Sequence, residues 1–258
     1  MTSISKTQKY TILTLLAVIF IVLTGFLDPI PQDLQYHQFA DQRTYLIPNT
    51  LNIASNLLFA LAGIAGLYFL CVRRSLLATE LMMPAYFIFF AALIAIAPGS
   101  AYYHWLPDNQ SLVWDRLPMT LAFMSFFTII LAERLSLRFA KLMLLPLLIA
   151  GFSSIVYWSY TEQAGFGDLR PYALVQFLPI VMIPLILLMF RPEFTRDRDL
   201  WIFLGCYLLA KVFETFDYAI FQSLSIVSGH SLKHIAAGIG CLVYLRYLHY
   251  RTDINSWV

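Results

Sequence analysis

The sequence is poor in charged residues: only 12% of its 258 residues are Asp, Glu, Lys or Arg. Soluble domains carry about twice that fraction, so the composition excludes an ordinary water-soluble fold. The net charge of +2 is too small to indicate a nucleic-acid partner, and the basic residues are dispersed between apolar runs. The sequence also has no feature from which we infer a protein partner.

Cysteine is scarce as well, with three residues in the whole chain. Cys71, Cys206 and Cys241 lie in apolar segments and have no CxxC spacing. This pattern favours buried small side chains over a disulfide framework or thiol chemistry.

Long apolar runs are abundant instead, and 60% of the residues are hydrophobic. A helix needs roughly 20 largely apolar residues to span a bilayer. Eight runs meet this condition, at about 10–27, 49–72, 81–104, 112–132, 138–158, 171–190, 199–223 and 230–250. They predict an all-α polytopic membrane helical bundle with short connections. The first run lacks a small-residue cleavage site before Asp28, so we expect it to be retained.

The basic residues predict the orientation of the chain, because cytoplasmic loops are enriched in Lys and Arg. With the amino terminus in the cytoplasm, twelve of them fall on that side: Lys6, Lys9, Arg73, Arg74, Arg134, Arg138, Lys141, Arg191, Arg196, Arg198, Arg246 and Arg251. Only Arg43 and Arg170 fall on the other side. We therefore expect both termini in the cytoplasm. The short loops favour the bacterial inner membrane, with a eukaryotic internal membrane as the alternative.

The histidine spacing indicates a metal site. His230 and His234 are four residues apart, so both lie on one face of a helix and can reach one ion. A catalytic zinc ion takes three protein ligands and leaves a fourth position for water. The predicted topology brings His104 to the same membrane level, on the non-cytoplasmic side. His37 lies in a loop, and His249 lies roughly 22 Å along the last helix from the pair.

Ser100 and Asp115 fall at the same membrane level as His104. A carboxylate there can accept a proton from water, whose pKa zinc lowers to about 7, and a hydroxyl can donate to an oxyanion. This set predicts a zinc amidohydrolase centre. Two alternatives stay open: Asp115 can form an ion pair with Arg116, and paired histidines can also hold haem or copper.

Other polar residues lie within the apolar runs. Lys211 and Glu214 are three residues apart and predict a structural ion pair. Asp217, one turn further on, is a candidate acceptor for the N–H of a metal-binding histidine. For the polar residues that begin the second run we predict helix packing in the first place; these are Asn49, Asn52, Ser55 and Asn56.

Three motifs together resemble a known family. Ser100-x3-His104, Asp115 within Trp-Asp-Arg-Leu-Pro-Met, and His230-x3-His234 on the last helix resemble the alkaline ceramidases. These enzymes belong to a membrane-hydrolase superfamily that includes the adiponectin and progestin receptors and the haemolysin-III-like proteins. The resemblance covers about 49–250. It implies a seven-span ceramidase-like catalytic domain in residues 49–258. The extra transmembrane helix and non-cytoplasmic loop in residues 1–48 depart from the family pattern.

The resemblance also implies a function. Zn²⁺ is expected on His104, His230 and His234, with Asp115 as general base and Ser100 stabilising the oxyanion. The substrate implied is ceramide or a ceramide-like N-acyl lipid, which enters from the bilayer and is cleaved to a fatty acid and an amino alcohol. The alternative within the superfamily is a receptor-like or haemolysin-III-like protein with a structural metal site.

Calcium is not favoured. The family members closest to this reaction carry an acidic calcium loop before the first shared helix. The corresponding positions here are Gln35, Tyr36, Gln38, Ala40 and Asn49. Because Ca²⁺ favours several carboxylates, calcium binding in this loop would need Asp33 or Asp41 as substitutes.

Overall fold

The computed structural model describes residues 4–72 and 82–254. Its α-helices are α1 (Lys6–Phe26), α2 (Thr50–Ala54), α3 (Leu57–Val72), α4 (Met83–Trp105), α5 (Asn109–Arg134), α6 (Leu137–Gln163), α7 (Arg170–Met189), α8 (Asp197–Thr215), α9 (Asp217–Leu224) and α10 (Gly229–Tyr250). A short 3₁₀ helix covers Leu34–His37 in the loop after α1. This architecture confirms the predicted all-α polytopic bundle.

Most of the predicted membrane spans are present. Six helical segments of the described ranges are long and apolar enough to cross a membrane: α1, α2 with α3, α4, α5, α6 and α7. A seventh is α9 with α10, if this pair counts as one span despite its bend of 105°. Arg73 and Arg74, which entered the charge count, and the first residue of the third predicted run lie outside the described residues.

The seventh predicted run, 199–223, does not form one helix. It divides at Phe216 into α8 and α9, and α8 is not among the candidate spans. Charge excludes α8 from the candidate spans, because this helix contains Asp197, Arg198, Asp199, Lys211 and Glu214 within 19 residues. The prediction of one continuous helix for this run is therefore wrong.

Small residues allow the central helices to approach closely, as is common between membrane helices. A Cβ atom on Gly99 of α4 would overlap the carbonyl oxygen of Trp114 of α5. A Cβ on Gly66 of α3 would overlap the ring of Phe90 of α4. The packing also corrects the cysteine prediction: Cys241 is buried, but Cys206 is only half-buried and Cys71 is exposed on α3.

An ionic cluster joins α4, α5 and α10 at the end of the bundle opposite the histidine pair. Glu133 forms an ion pair with Arg251 just beyond α10. Its two carboxylate oxygens accept hydrogen bonds from Tyr86 (2.6 Å) and Tyr247 (2.9 Å). Although the sequence analysis counted Arg251 as a loop residue, its side chain is buried.

A second ionic contact attaches the end of α1 to the bundle. Asp168, in the loop between α6 and α7, accepts bonds of 2.8 Å from both Nε and Nη2 of Arg170. Arg170 also donates from Nη1 to the backbone oxygen of Leu27. Hydrogen bonds from Arg170 lower the pKa of Asp168 to about 2.

We predict that Asp168→Asn destabilises the protein at neutral pH and that this effect disappears in acid. An unfolded aspartate titrates near pH 4, and the folded group titrates near pH 2. The stabilisation is therefore fully present above about pH 5 and is lost as the pH falls toward 2. Thermal unfolding in detergent across this range tests it, with Asp28→Asn at an exposed site as the control. A difference between variant and wild type that does not shrink in acid would contradict the prediction.

Candidate metal centre

The three predicted ligands meet at one point. His104 lies in the last turn of α4, and His230 and His234 lie at the start of α10. The three side chains are between 1% and 7% exposed. Each offers a ligand atom within 4.8 Å of the others. The predicted convergence of these histidines is confirmed.

The spacing of the nitrogens suits a shared ion. The Nε2 atoms of His104 and His230 are 3.3 Å apart, and the three ring centroids are 4.7 to 5.0 Å apart. Two nitrogens bound at zinc distance to one tetrahedral ion are separated by about 3.3 to 3.4 Å. Imidazole donors suit zinc, copper, iron and nickel. The residues therefore fit a divalent transition metal.

A hydrogen bond orients His234 for metal binding. The hydroxyl of Ser55 donates to the carbonyl of Asn52 (2.9 Å) and lies 2.9 Å from Nδ1 of His234. Because its single proton is used, Ser55 accepts the Nδ1–H of His234, which leaves the lone pair on Nε2. Ser55 lies at the break between α2 and α3. Its position in the sequence indicated a packing role, and its contact with His234 was not predicted.

Asp217 also contacts a ligand residue, but through the backbone. Its Oδ1 accepts the backbone N–H of His230 (2.7 Å), and its Oδ2 accepts the backbone N–H of Ala40 (3.0 Å). The predicted bond to an imidazole N–H is not the one observed. A carboxylate at a helix N-terminus is electrostatically favourable, and here it fixes the turn that carries His230.

An aromatic residue from the loop before α2 covers the histidines. Phe39 is buried, with its ring centroid 4.7 Å from that of His104 and 4.8 Å from that of His230. Asn49 holds the same region by donating to the backbone oxygen of His104 (2.8 Å). Phe39 is one of three aromatic residues in the loop between α1 and α2, and an aromatic residue in such a loop is too common to indicate a site.

The other two histidines are placed as expected. His37 uses both ring nitrogens, with Tyr103 Oη at 3.0 Å and Asn109 Oδ1 at 2.9 Å. His249 lies beside Phe69, at the far end of α10. Neither joins the three ligand residues.

Ser100 and Asp115 are neighbours across the contact between α4 and α5. Because Gly99 has no Cβ atom, the backbones of α4 and α5 approach each other closely at Gly99 and Trp114. This approach brings together the residues that follow, Ser100 and Asp115. Both side chains are buried, and Ser100 is a hydrogen-bond partner of the Asp115 carboxyl group. Asp115 and Arg116 are both among the described residues, and no ion pair joins them. The alternative of an Asp115–Arg116 ion pair is therefore not observed.

Ser100, Asp115 and His234 line one cavity of about 290 Å³. Away from the histidines its wall is mostly apolar, and includes Phe89, Leu93, Ala122, Phe126, Ile183, Phe203 and Cys241. The polar part of the wall includes Glu214, which forms ion pairs with Lys211 and with Lys233 (2.7 Å). The predicted ion pair of Lys211 with Glu214 is confirmed. Lys233 is a second ion-pair partner of Glu214 that was not predicted.

The carboxylates proposed as calcium substitutes have other partners. Both oxygens of Asp41 accept bonds from Arg43, at 2.8 and 2.7 Å. Burial raises the pKa of Asp41, but the hydrogen bonds from Arg43 outweigh it and hold that pKa below its ordinary value. Asp33 accepts the backbone N–H of Gln35 (2.9 Å). Arg43 thus supplies a positive charge at Asp41, which disfavours a cation there.

Comparison of the chain with models of known protein families and with curated proteins returned no match.

We predict one tightly bound transition-metal ion per chain. His104→Ala, His230→Ala and His234→Ala should each abolish stoichiometric binding, because two imidazoles alone bind far more weakly. His37→Ala and His249→Ala are the matched controls and should keep the ion. Elemental analysis of each purified protein provides the measurement.

Ser55→Ala should keep the site but lower its metal affinity by about 10- to 100-fold, the usual effect of losing a residue that orients a ligand.

Retention of a full equivalent of metal by the His104→Ala protein would show that His104, His230 and His234 do not form one metal site.

Proposed function

We propose that the chain is a zinc-dependent intramembrane hydrolase that cleaves the amide bond of ceramide or a ceramide-like N-acyl lipid. One observation carries the proposal: the histidine His234 and the pair Ser100–Asp115 line the same largely apolar cavity. A metal site, a proton acceptor and a hydroxyl donor therefore share a space suited to an alkyl chain. The resemblance to the alkaline ceramidases supports the same chemistry.

Asp115 and Ser100 have different roles in the proposed reaction. When bound, zinc supplies Lewis acidity and lowers the pKa of water to about 7. The carboxylate of Asp115 takes a proton from the attacking water as its oxygen adds to the amide carbon. Asp115 then returns that proton to the nitrogen as the C–N bond breaks, which releases the amine and the fatty acid. Once Asp115 has taken the proton, the hydroxyl of Ser100 no longer needs to donate to that carboxylate and donates to the carbonyl oxygen as negative charge develops there.

The lipid enters from the side, between α7 and α8. Both helices line the cavity, and Leu208 of α8 does so while 55% exposed on the outer surface. The wall is therefore thin at this place. Gln176 of α7 donates to the hydroxyl of Tyr207 of α8 (2.9 Å), and this polar contact bridges the two helices beside the proposed entrance.

We infer the location from the distribution of basic residues. The proposed catalytic residues lie at the end of the bundle opposite the basic loops, and this supports a position toward the non-cytoplasmic leaflet. The short connections support a bacterial inner membrane as the site of action, with both termini in the cytoplasm. Residues 49–258 form the catalytic domain in this proposal.

We expect Asp115→Asn to lower the rate of hydrolysis of a fluorescent N-acyl sphingoid lipid by about 10²- to 10⁴-fold, because the side-chain amide of Asn cannot accept the proton of the attacking water. Ser100→Ala should lower it by about 10²- to 10³-fold. Both variants should retain the metal, and Asp28→Asn is the control. Product formation by chromatography is the measurement. Zinc-loaded wild-type protein that cleaves no N-acyl lipid would favour the receptor-like alternative.

A larger residue at the apolar end of the cavity should shorten the acyl chain that is accepted. Ala122 lies seven residues along α5 from Asp115, about 10 Å from it. Ala122→Phe should therefore lower kcat/KM for long-chain substrates far more than for short-chain ones. Gly205→Phe is the control, since a Cβ atom there meets nothing within 4 Å. Equal losses for all chain lengths would contradict a lipid site in this cavity.

A further inference from the structure

Arg116 is a buried cation in the wall of the proposed lipid cavity. It follows Asp115 on α5 and is only 5% exposed. Its guanidinium carbon lies over three aromatic rings, 4.6 Å from the centroid of Trp158, 4.8 Å from that of Tyr172 and 5.4 Å from that of Tyr36. The rings hold the guanidinium group in place through cation–π attraction.

These rings do not satisfy the hydrogen-bonding capacity of the guanidinium. The Nη1 atom is buried and has no hydrogen-bond partner. No ion pair recorded for residues 4–72 and 82–254 includes Arg116. A buried charge without a partner is costly inside a membrane protein and usually marks a binding function.

The other two cations of the cavity wall already have a carboxylate partner. Lys211 and Lys233 both bind the carboxylate of Glu214. Asp115 has Ser100 as its hydrogen-bond partner. Three basic and two acidic side chains line the cavity, so the wall carries one excess positive charge. Arg116 is the cation in this set that lacks a paired carboxylate.

We propose that Arg116 binds an oxyanion, a carboxylate or a phosphate, of the lipid in the cavity. The guanidinium group presents a planar fork that matches such groups with two parallel hydrogen bonds. This inference rests on the proposed function and refines its substrate class. The preferred ligand is an acidic N-acyl lipid or the fatty-acid product, and a neutral lipid leaves Arg116 unpaired.

The first test measures binding and needs no turnover. The ligands are dodecanoate, dodecyl phosphate and the neutral 1-dodecanol, bound to the purified full-length protein in a neutral detergent. The wild-type protein should bind the two anions more tightly than the alcohol. Arg116→Gln should weaken anion binding by about 10- to 100-fold and leave binding of the alcohol unchanged.

Two further proteins separate charge from structure. Arg116→Lys keeps the charge but loses the fork, so its anion affinity should fall between those of wild type and Arg116→Gln. Arg138→Gln makes the same chemical change at an exposed site and should behave as wild type. Equal binding of all three ligands to the wild-type protein overturns the proposal without any variant. An equal loss for all three in Arg116→Gln also overturns it, because the residue then only shapes the cavity.

A second test identifies which part of the lipid supplies the oxyanion. If the headgroup does, N-dodecanoylglycine should be cleaved at least about tenfold faster, in kcat/KM, than N-dodecanoylethanolamine, and Arg116→Gln should abolish this preference. If the released fatty acid supplies the oxyanion, both amides should be cleaved at the same rate, and dodecanoate should inhibit Arg116→Gln more weakly than wild type. Anion binding without any hydrolysis would support the role of Arg116 while rejecting the proposed enzyme.

Discussion

A polar group buried in an apolar bundle has to find its partner inside the protein, and this requirement organises the structure at both ends. At one end Glu133 and Arg251 satisfy each other, with two tyrosines completing the carboxylate's hydrogen bonds. At the other end three imidazoles converge with their nitrogens facing one another. In the first cluster the two charges are paired with each other, and we interpret it as structural. The second still offers donor atoms to an ion, which is why the functional interpretation is placed there.

The proposed catalytic end depends on connections between segments that are distant in sequence. Asp217 binds the first turn of α10 and the backbone of Ala40, and Ser55 binds the ring of His234. Each contact holds a ligand-bearing element through a residue that is not itself a ligand. The loop after α1 is thus part of the site, although the resemblance to the ceramidases begins only near residue 49.

The positions of the helices and the histidine site could be predicted because their signals are local. Apolar runs of membrane-spanning length, an i, i+4 histidine pair and the charge distribution are visible without coordinates. Three features could not be predicted, because they depend on contacts between distant residues: the break between α8 and α9, the tautomer imposed by Ser55, and the cover provided by Phe39. The unpaired state of Arg116 belongs with them. Its neighbour Asp115 suggested an ion pair, and only the fold shows that Asp115 is partnered by Ser100 and Arg116 by aromatic rings.

Phe39 has a consequence for how the protein acquires its ion. Its ring lies against two of the three imidazoles, so an ion approaching from the loop side cannot arrive while that ring is in place. Capture from this side has to precede the docking of the loop during biogenesis, or it has to wait for the loop to swing away. The kinetics of metal exchange along this route would then report on loop motion more than on the strength of the metal–nitrogen bonds.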